Sequence, residues 1–202
     1  MRSRNIQFQS GGLRPLARYY PFMDGISGID VIPKLIEITM DSGTFAVGET
    51  VDGFVGSEKL ITFRLAQPDH KSGPYTSPTQ KYNSNPYNVS LALSTQYSAS
   101  STVLNIDISS LSEEVLGKYS GYITIGMKLV GQTSKATCTV ADIRLVSDTY
   151  GDLIGSFFLR DPLTNPPPLV RIRTGDRTFK ITTSSTNAVP LPGSLLISSG
   201  ET

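Results

Sequence analysis

The chain has 202 residues, 18 basic and 17 acidic, for a formal net charge of +1, so it carries no global electrostatic footprint for nucleic acid or an anionic membrane. Charged residues make up only 17% of it, below the roughly 25% usual in soluble domains, and uncharged polar residues fill the difference. Cys138 is the single cysteine, which excludes an intrachain disulfide and any multi-cysteine metal site.

The N-terminal stretch from Met1 to Phe8 is basic but lacks the apolar core of a secretory signal. No run approaches the roughly 20 apolar residues of a membrane helix. Short β-rich runs then follow at Asn5–Gln9, Arg18–Met23, Lys34–Thr39, Val51–Val55, Ile61–Leu65, Val89–Leu93, Thr102–Ile108 and Tyr122–Val130. Thr137–Val146 and Leu153–Arg160 flank Ser147, Asp148 and Gly151, the pattern of a hairpin over 137–160. Two further runs follow at Val170–Arg173 and Thr178–Thr182. Helical signals are confined to 109–117, where Ser110 and Glu113 suggest a capping box and Gly117 a stop. The reading is an all-β chain: a sandwich or open barrel of short antiparallel strands with one short helix near 109–117.

Proline divides the sequence into an N-terminal β segment (1–66), a Pro/Tyr-rich loop (67–88), a central β segment (89–162) and a Pro-rich spacer with a C-terminal β arm (163–202). All four can belong to one domain of a longer chain. The loop is too long for an ordinary turn and reads as an ordered functional loop or an interface arm. Asn165-Pro-Pro-Pro-Leu169 reads as a stiff polyproline spacer. A weak echo between Ser42–Gly53 and Gly126–Thr137 is the recurrence of β-turn chemistry rather than a solenoid repeat.

Reaction chemistry is sparse. His70, the only histidine, must serve any Ser-His-Asp or Cys-His device, yet its turn-like setting predicts a solvated loop histidine. Cys138, between Thr137 and Thr139, reads as a small buried thiol. A carboxylate pair among Glu49, Asp52, Asp107, Glu113, Glu114, Asp148, Asp152 and Asp161 would suit a glycoside hydrolase, but turn-capping accounts for most of them. The chain therefore reads as non-enzymatic, with no cofactor and no metal. Tyr75, Tyr82 and Tyr87, with Asn83 and Asn85, are the candidate binding residues, offering flat amphipathic surface to protein or to sugar.

The order of motifs carries a resemblance. Arg2–Phe8, Gly12–Pro15, Arg18–Gly25, Pro33–Ile38, Ile61–Leu65, Asp69–Tyr75, Tyr97–Asn105, Gly126–Ser134, Gly155–Pro162 and Arg173–Thr182 resemble, in sequence order, a module of large tail-associated structural proteins of contractile-tailed phages, especially cyanobacterial phages. The resemblance implies a virion structural component of tail, baseplate or fibre, assembled in the host cytoplasm. It also implies homo-oligomerisation about the tail axis and other tail proteins as partners, with no catalytic motif. A host-surface glycan-binding module is the alternative, and a polysaccharide depolymerase the third reading.

Overall fold

The structure, a computed structural model, describes residues 3–112, 118–163, 175–188 and 199–201. The described chain is nearly all β with one short helix, as the alternating sequence pattern predicts. In chain order the strands are β1 (Arg4–Ser10), β2 (Arg18–Met23), β3 (Asp30–Pro33), β4 (Leu35–Ser42), β5 (Thr50–Val55), β6 (Glu58–Arg64), β7 (His70–Ser72) and β8 (Gln80–Lys81). After β9 (Val103–Asn105) comes the helix α1 (Ile108–Ser112). Then follow β10 (Ser120–Gly121), β11 (Lys128–Gly131), β12 (Thr137–Asp142), β13 (Leu145–Val146), β14 (Leu153–Leu159), β15 (Phe179–Thr182) and β16 (Ser199–Glu201).

Seven strands form one antiparallel sheet in the order β10-β6-β5-β11-β12-β4-β9. Its two ends curl toward each other as a half-barrel: past β6, Leu65 bridges Ile106, and the Ala66 amide donates to the Asn105 carbonyl at 2.8 Å. Ile36, Val51, Phe63, Leu104, Met127, Leu129 and Cys138 fill the concave side, all but inaccessible to solvent. Cys138 is buried there as its threonine-flanked setting predicts. The two echo segments are neighbours rather than repeats, since β5 pairs with β11 and Ser42 lies opposite Thr137.

A three-stranded sheet, β1-β14-β3, and a four-stranded sheet, β13-β2-β15-β16, enclose a second core. Phe8, Phe157 and Phe179 meet there with ring centroids 4.9 to 6.4 Å apart, each burial contributing about 1.5–3 kcal/mol. Asn5 ties β1 to the large sheet, donating to the Gly121 carbonyl at 2.9 Å and accepting from the Gly121 amide at 3.0 Å. Strands from 1–66, 89–162 and 163–202 thus interleave, with β14 held between β1 and β3.

The expected hairpin over 137–160 is not formed. β12 pairs with β11 and β4, whereas β14 pairs with β1 and β3. The turn itself follows the sequence signal: the Gly151 amide donates to the Asp148 carbonyl at 3.1 Å, and Gly151 takes φ +79°. A Cβ there would stand 2.1 Å from the Leu13 carbonyl oxygen, so only glycine fits. The arms separate because Leu153–Leu159 is buried almost throughout, a central strand needing partners on both edges.

Three other expectations shift. Val89–Leu93 runs from a turn into irregular structure and forms no strand. Tyr122–Val130 is broken by a turn at Gly126 (φ +83°), leaving Lys128–Gly131 as strand. The helix starts at Ile108, and Ser110 sits inside it, its hydroxyl donating to the Asp107 carbonyl at 2.6 Å. Glu113 and Gly117, the spacer 165–169 and the run 170–173 lie outside the described residues.

Candidate functional site

The loop 67–88 leaves the half-barrel where β6 ends, and its root is inside the protein: residues 65 to 71 are buried without interruption. Asn105 on β9 fastens it, donating to the Pro68 carbonyl at 3.0 Å and the His70 carbonyl at 2.7 Å. The Tyr97 hydroxyl donates to the Ala66 carbonyl at 2.6 Å. The short β7–β8 ladder and the Tyr82 amide donating to the Asp69 carbonyl at 2.8 Å fold the loop back on itself. It is an ordered structure.

His70 is accordingly buried, which corrects its expected solvated setting. Its Nε2 lies 2.9 Å from the Gly73 carbonyl, so that nitrogen carries the proton and donates. Burial first, then the charge of Lys34, lowers its pKa below the usual 6.5. Lys34 is itself buried, donating to the Ile106 carbonyl at 3.1 Å. Burial takes its pKa down to about 8, against the raising effect of Asp107.

Lys71, the next residue along the loop, reaches the turn between β13 and β14. Its ammonium donates to Asp148 Oδ2 and to Asp152 Oδ2, both at 2.5 Å. Asp148 Oδ1 accepts from the Tyr150 and Asp152 amides, both at 2.9 Å, which is the turn-capping role its sequence setting predicts. The ammonium also lies 5.2 Å from the Tyr150 ring centroid and 5.9 Å from that of Tyr82. Burial lowers the Lys71 pKa, but hydrogen bonds to Asp148 and Asp152 outweigh it and hold the pKa above 10.5. Burial, then the two carboxylates, pushes the Tyr82 hydroxyl well above its ordinary range.

Because both carboxylates touch one ammonium, their oxygens are at most twice that distance apart, near the roughly 5 Å of a retaining glycosidase. A glycosidic oxygen would have to enter between the two acids, and Lys71 Nζ fills that place. The other candidate acids among the described residues are also fastened, Asp161 by accepting from the Leu163 amide at 2.9 Å. Glu49 accepts from the Ala46, Thr133 and Ser134 amides and from the Ser134 hydroxyl at 2.7 to 3.1 Å. Asp52 accepts from Thr62 and Gln132, and Asp107 pairs with Arg64. Glu113 and Glu114 lie outside the described residues.

The five predicted binding residues occupy different settings. Tyr87 is an internal anchor, its hydroxyl donating to the Leu35 carbonyl at 2.7 Å and lying 3.0 Å from that of Arg144. Asn85 is buried and accepts from the Tyr87 amide at 2.9 Å. Tyr75 is partly buried under the Arg64 guanidinium, 4.2 Å from its ring centroid. Tyr82 faces Lys71, and Asn83 alone is exposed, donating to the Tyr150 hydroxyl at 2.8 Å. Sequence reasoning missed Lys71 and Tyr150 because 77 and 67 residues separate them from the partners that define them.

One small hollow adjoins these residues, and a larger one lies elsewhere, along β1. The first, about 20 Å³ and lined by Lys34, Tyr82, Tyr87 and Arg144, has room for about one water molecule. The other, about 590 Å³, runs along β1 over Phe8, Phe157, Phe179 and Met23. Among the described residues no three His, Cys, Asp or Glu side chains converge as a metal site requires, and no helix is long and apolar enough to cross a membrane. The chain matches no family model, no curated protein and no solved structure.

Proposed function

We propose that this chain is a non-catalytic structural module of a contractile phage tail, baseplate or fibre, working in the virion through protein–protein contacts with copies of itself and with other tail proteins. The observation that carries the reading is where its ionic and amide side chains are used. Glu49 pins the 131–136 turn, Lys71 joins the 67–88 loop to the 147–152 turn, Arg160 pairs with Asp30 across β14 and β3, and Asn5 links two sheets. Each is committed to a junction between elements, and none converges with the others on an open cleft.

Such wiring suits a part whose task is to keep its shape. Short strands alone leave long connections free to move, and each buried, charge-assisted fastening removes one such freedom. The order of sequence motifs supplies the tail assignment, and a fold of β edges and ordered loops is compatible with repeated contacts between symmetry-related chains. Peptide mapping of purified particles, with a mass measurement of the isolated chain in solution, tests the reading. Peptides recovered in fixed ratio to the other tail proteins support it, and their absence from particles overturns it.

A further inference from the structure

Tyr150 is the one aromatic side chain among the described residues that stands largely in solvent, 65% exposed. It is also held rigidly. Its hydroxyl accepts from Asn83 Nδ2 at 2.8 Å, its amide donates to Asp148 Oδ1 at 2.9 Å, and the Lys71 ammonium sits 5.2 Å from its ring centroid. Gly151, locked in its turn, fixes the backbone beside it. A ring immobilised at its hydroxyl, at its backbone and over a cation, yet left exposed, contributes little to the core and forms a preorganised surface.

From this geometry we propose that Tyr150, Asn83 and Asp152 form a subsite for one ring of a neutral saccharide. The exposed part of the aromatic ring accepts the C–H-rich face of a pyranose, the stacking that flat amphipathic rings favour. Asn83, exposed beside the Tyr150 hydroxyl, offers a side-chain amide to sugar hydroxyls. Asp152, 31% exposed at its side chain, has a second carboxylate oxygen beyond the one bound by Lys71, and carboxylates accept readily from vicinal hydroxyls.

Two features favour a sugar over a protein partner. A single ring with polar neighbours presents far less than the roughly 800 Å² per partner of a stable protein interface. The charges also discriminate: one ammonium against two carboxylates leaves a net negative site, which repels sialic and uronic acids and tolerates neutral hexoses. The site stands apart from the tail-module reading, since a tail part needs no sugar and a sugar-binding module needs no tail.

The test is saturation-transfer NMR on the full chain with methyl glycosides of neutral hexoses, alongside sialic and glucuronic acid, titrated to about 20 mM. Saturable binding of a neutral glycoside is expected, about tenfold weaker in Tyr150→Ala and within about threefold of the parent in Tyr150→Phe, which keeps the ring. Asn83→Ala is expected to weaken binding, and the acidic sugars to bind least. Circular dichroism melts of each variant show that the fold persists. No saturable binding at that limit, equal binding by Tyr150→Ala, or preference for the acidic sugars overturns the proposal. So does a change in oligomeric mass of Tyr150→Ala without any sugar effect, which would mark Tyr150 as a protein contact.

Discussion

Replacing Lys71 by methionine removes the one cation shared by Asp148 and Asp152 while keeping most of its apolar stem. Lys71 and Asp148 are 8% and 6% exposed at their side chains, so Asp148 would be left as a buried carboxylate facing a second one. Breaking a buried pair from one side costs about 3–5 kcal/mol, and Asp152, a third exposed, adds little beyond that. For a chain of this length each kcal/mol corresponds to about 2–4 °C, so Tm is expected to fall by about 6–20 °C. Far-UV circular dichroism melts and guanidinium titrations with unchanged m-value give the measurement. The triple variant Lys71→Met, Asp148→Asn, Asp152→Asn leaves no unpaired charge and is expected to recover most of the loss. Since the Lys71 pKa is raised in the fold, its contribution is complete below the ordinary 10.5 and disappears as pH rises through the folded value. The gap between parent and Lys71→Met should therefore be flat from about pH 7 to 9 and close at higher pH. A loss under about 1 kcal/mol, or a triple variant no more stable than the single one, would refute the reasoning.

Further outcomes follow from other junctions. Glu49→Ala removes the acceptor of four hydrogen bonds, three from the 131–136 turn and one from the Ala46 amide, and is expected to cost about 2–4 kcal/mol in equilibrium unfolding, with Glu49→Gln milder because its amide oxygen still accepts. The Cys138 thiol, pushed up to about 12 by burial and by Asp41, should resist alkylation in the folded protein and label at the rate of global unfolding; rapid labelling of native protein would contradict its place in the core. Because His70 has a lowered folded pKa, its contribution is present above the ordinary 6.5 and is lost as pH falls from there through the folded value. A His70→Gln variant should accordingly show a flatter stability profile between about pH 7 and 5 than the parent.

The fold class was legible because half-buried strands write their alternation into sequence. Arg18–Met23 matches β2 at both ends, and Asn5–Gln9 lies within β1. Local grammar failed where pairing is remote. Thr137–Val146 and Leu153–Arg160 look like hairpin arms, but β14 is buried on both faces and draws its partners from Arg4–Ser10 and Asp30–Pro33. Val89–Leu93 has strand composition yet turns instead, with Asn85 and Asn88 forming an isolated bridge and the Asn88 side chain accepting from the Ser90 amide. At the candidate site, Asp148 was readable as a turn cap because that role depends on residues two and four positions away. Its second role depends on Lys71, 77 residues earlier, and nothing local marks that distance. The loop tyrosines were visible as rigid aromatic surface, but whether a ring faces inward like Tyr87 or outward like Tyr150 is decided by tertiary partners.

The central proposal, a structural part of a phage tail, is tested most directly by quantitative peptide mapping of tailed particles purified from the source of this chain. Its peptides are expected at a fixed, symmetry-compatible copy number relative to the other tail proteins. Particles that are complete and infectious without any of them would contradict it.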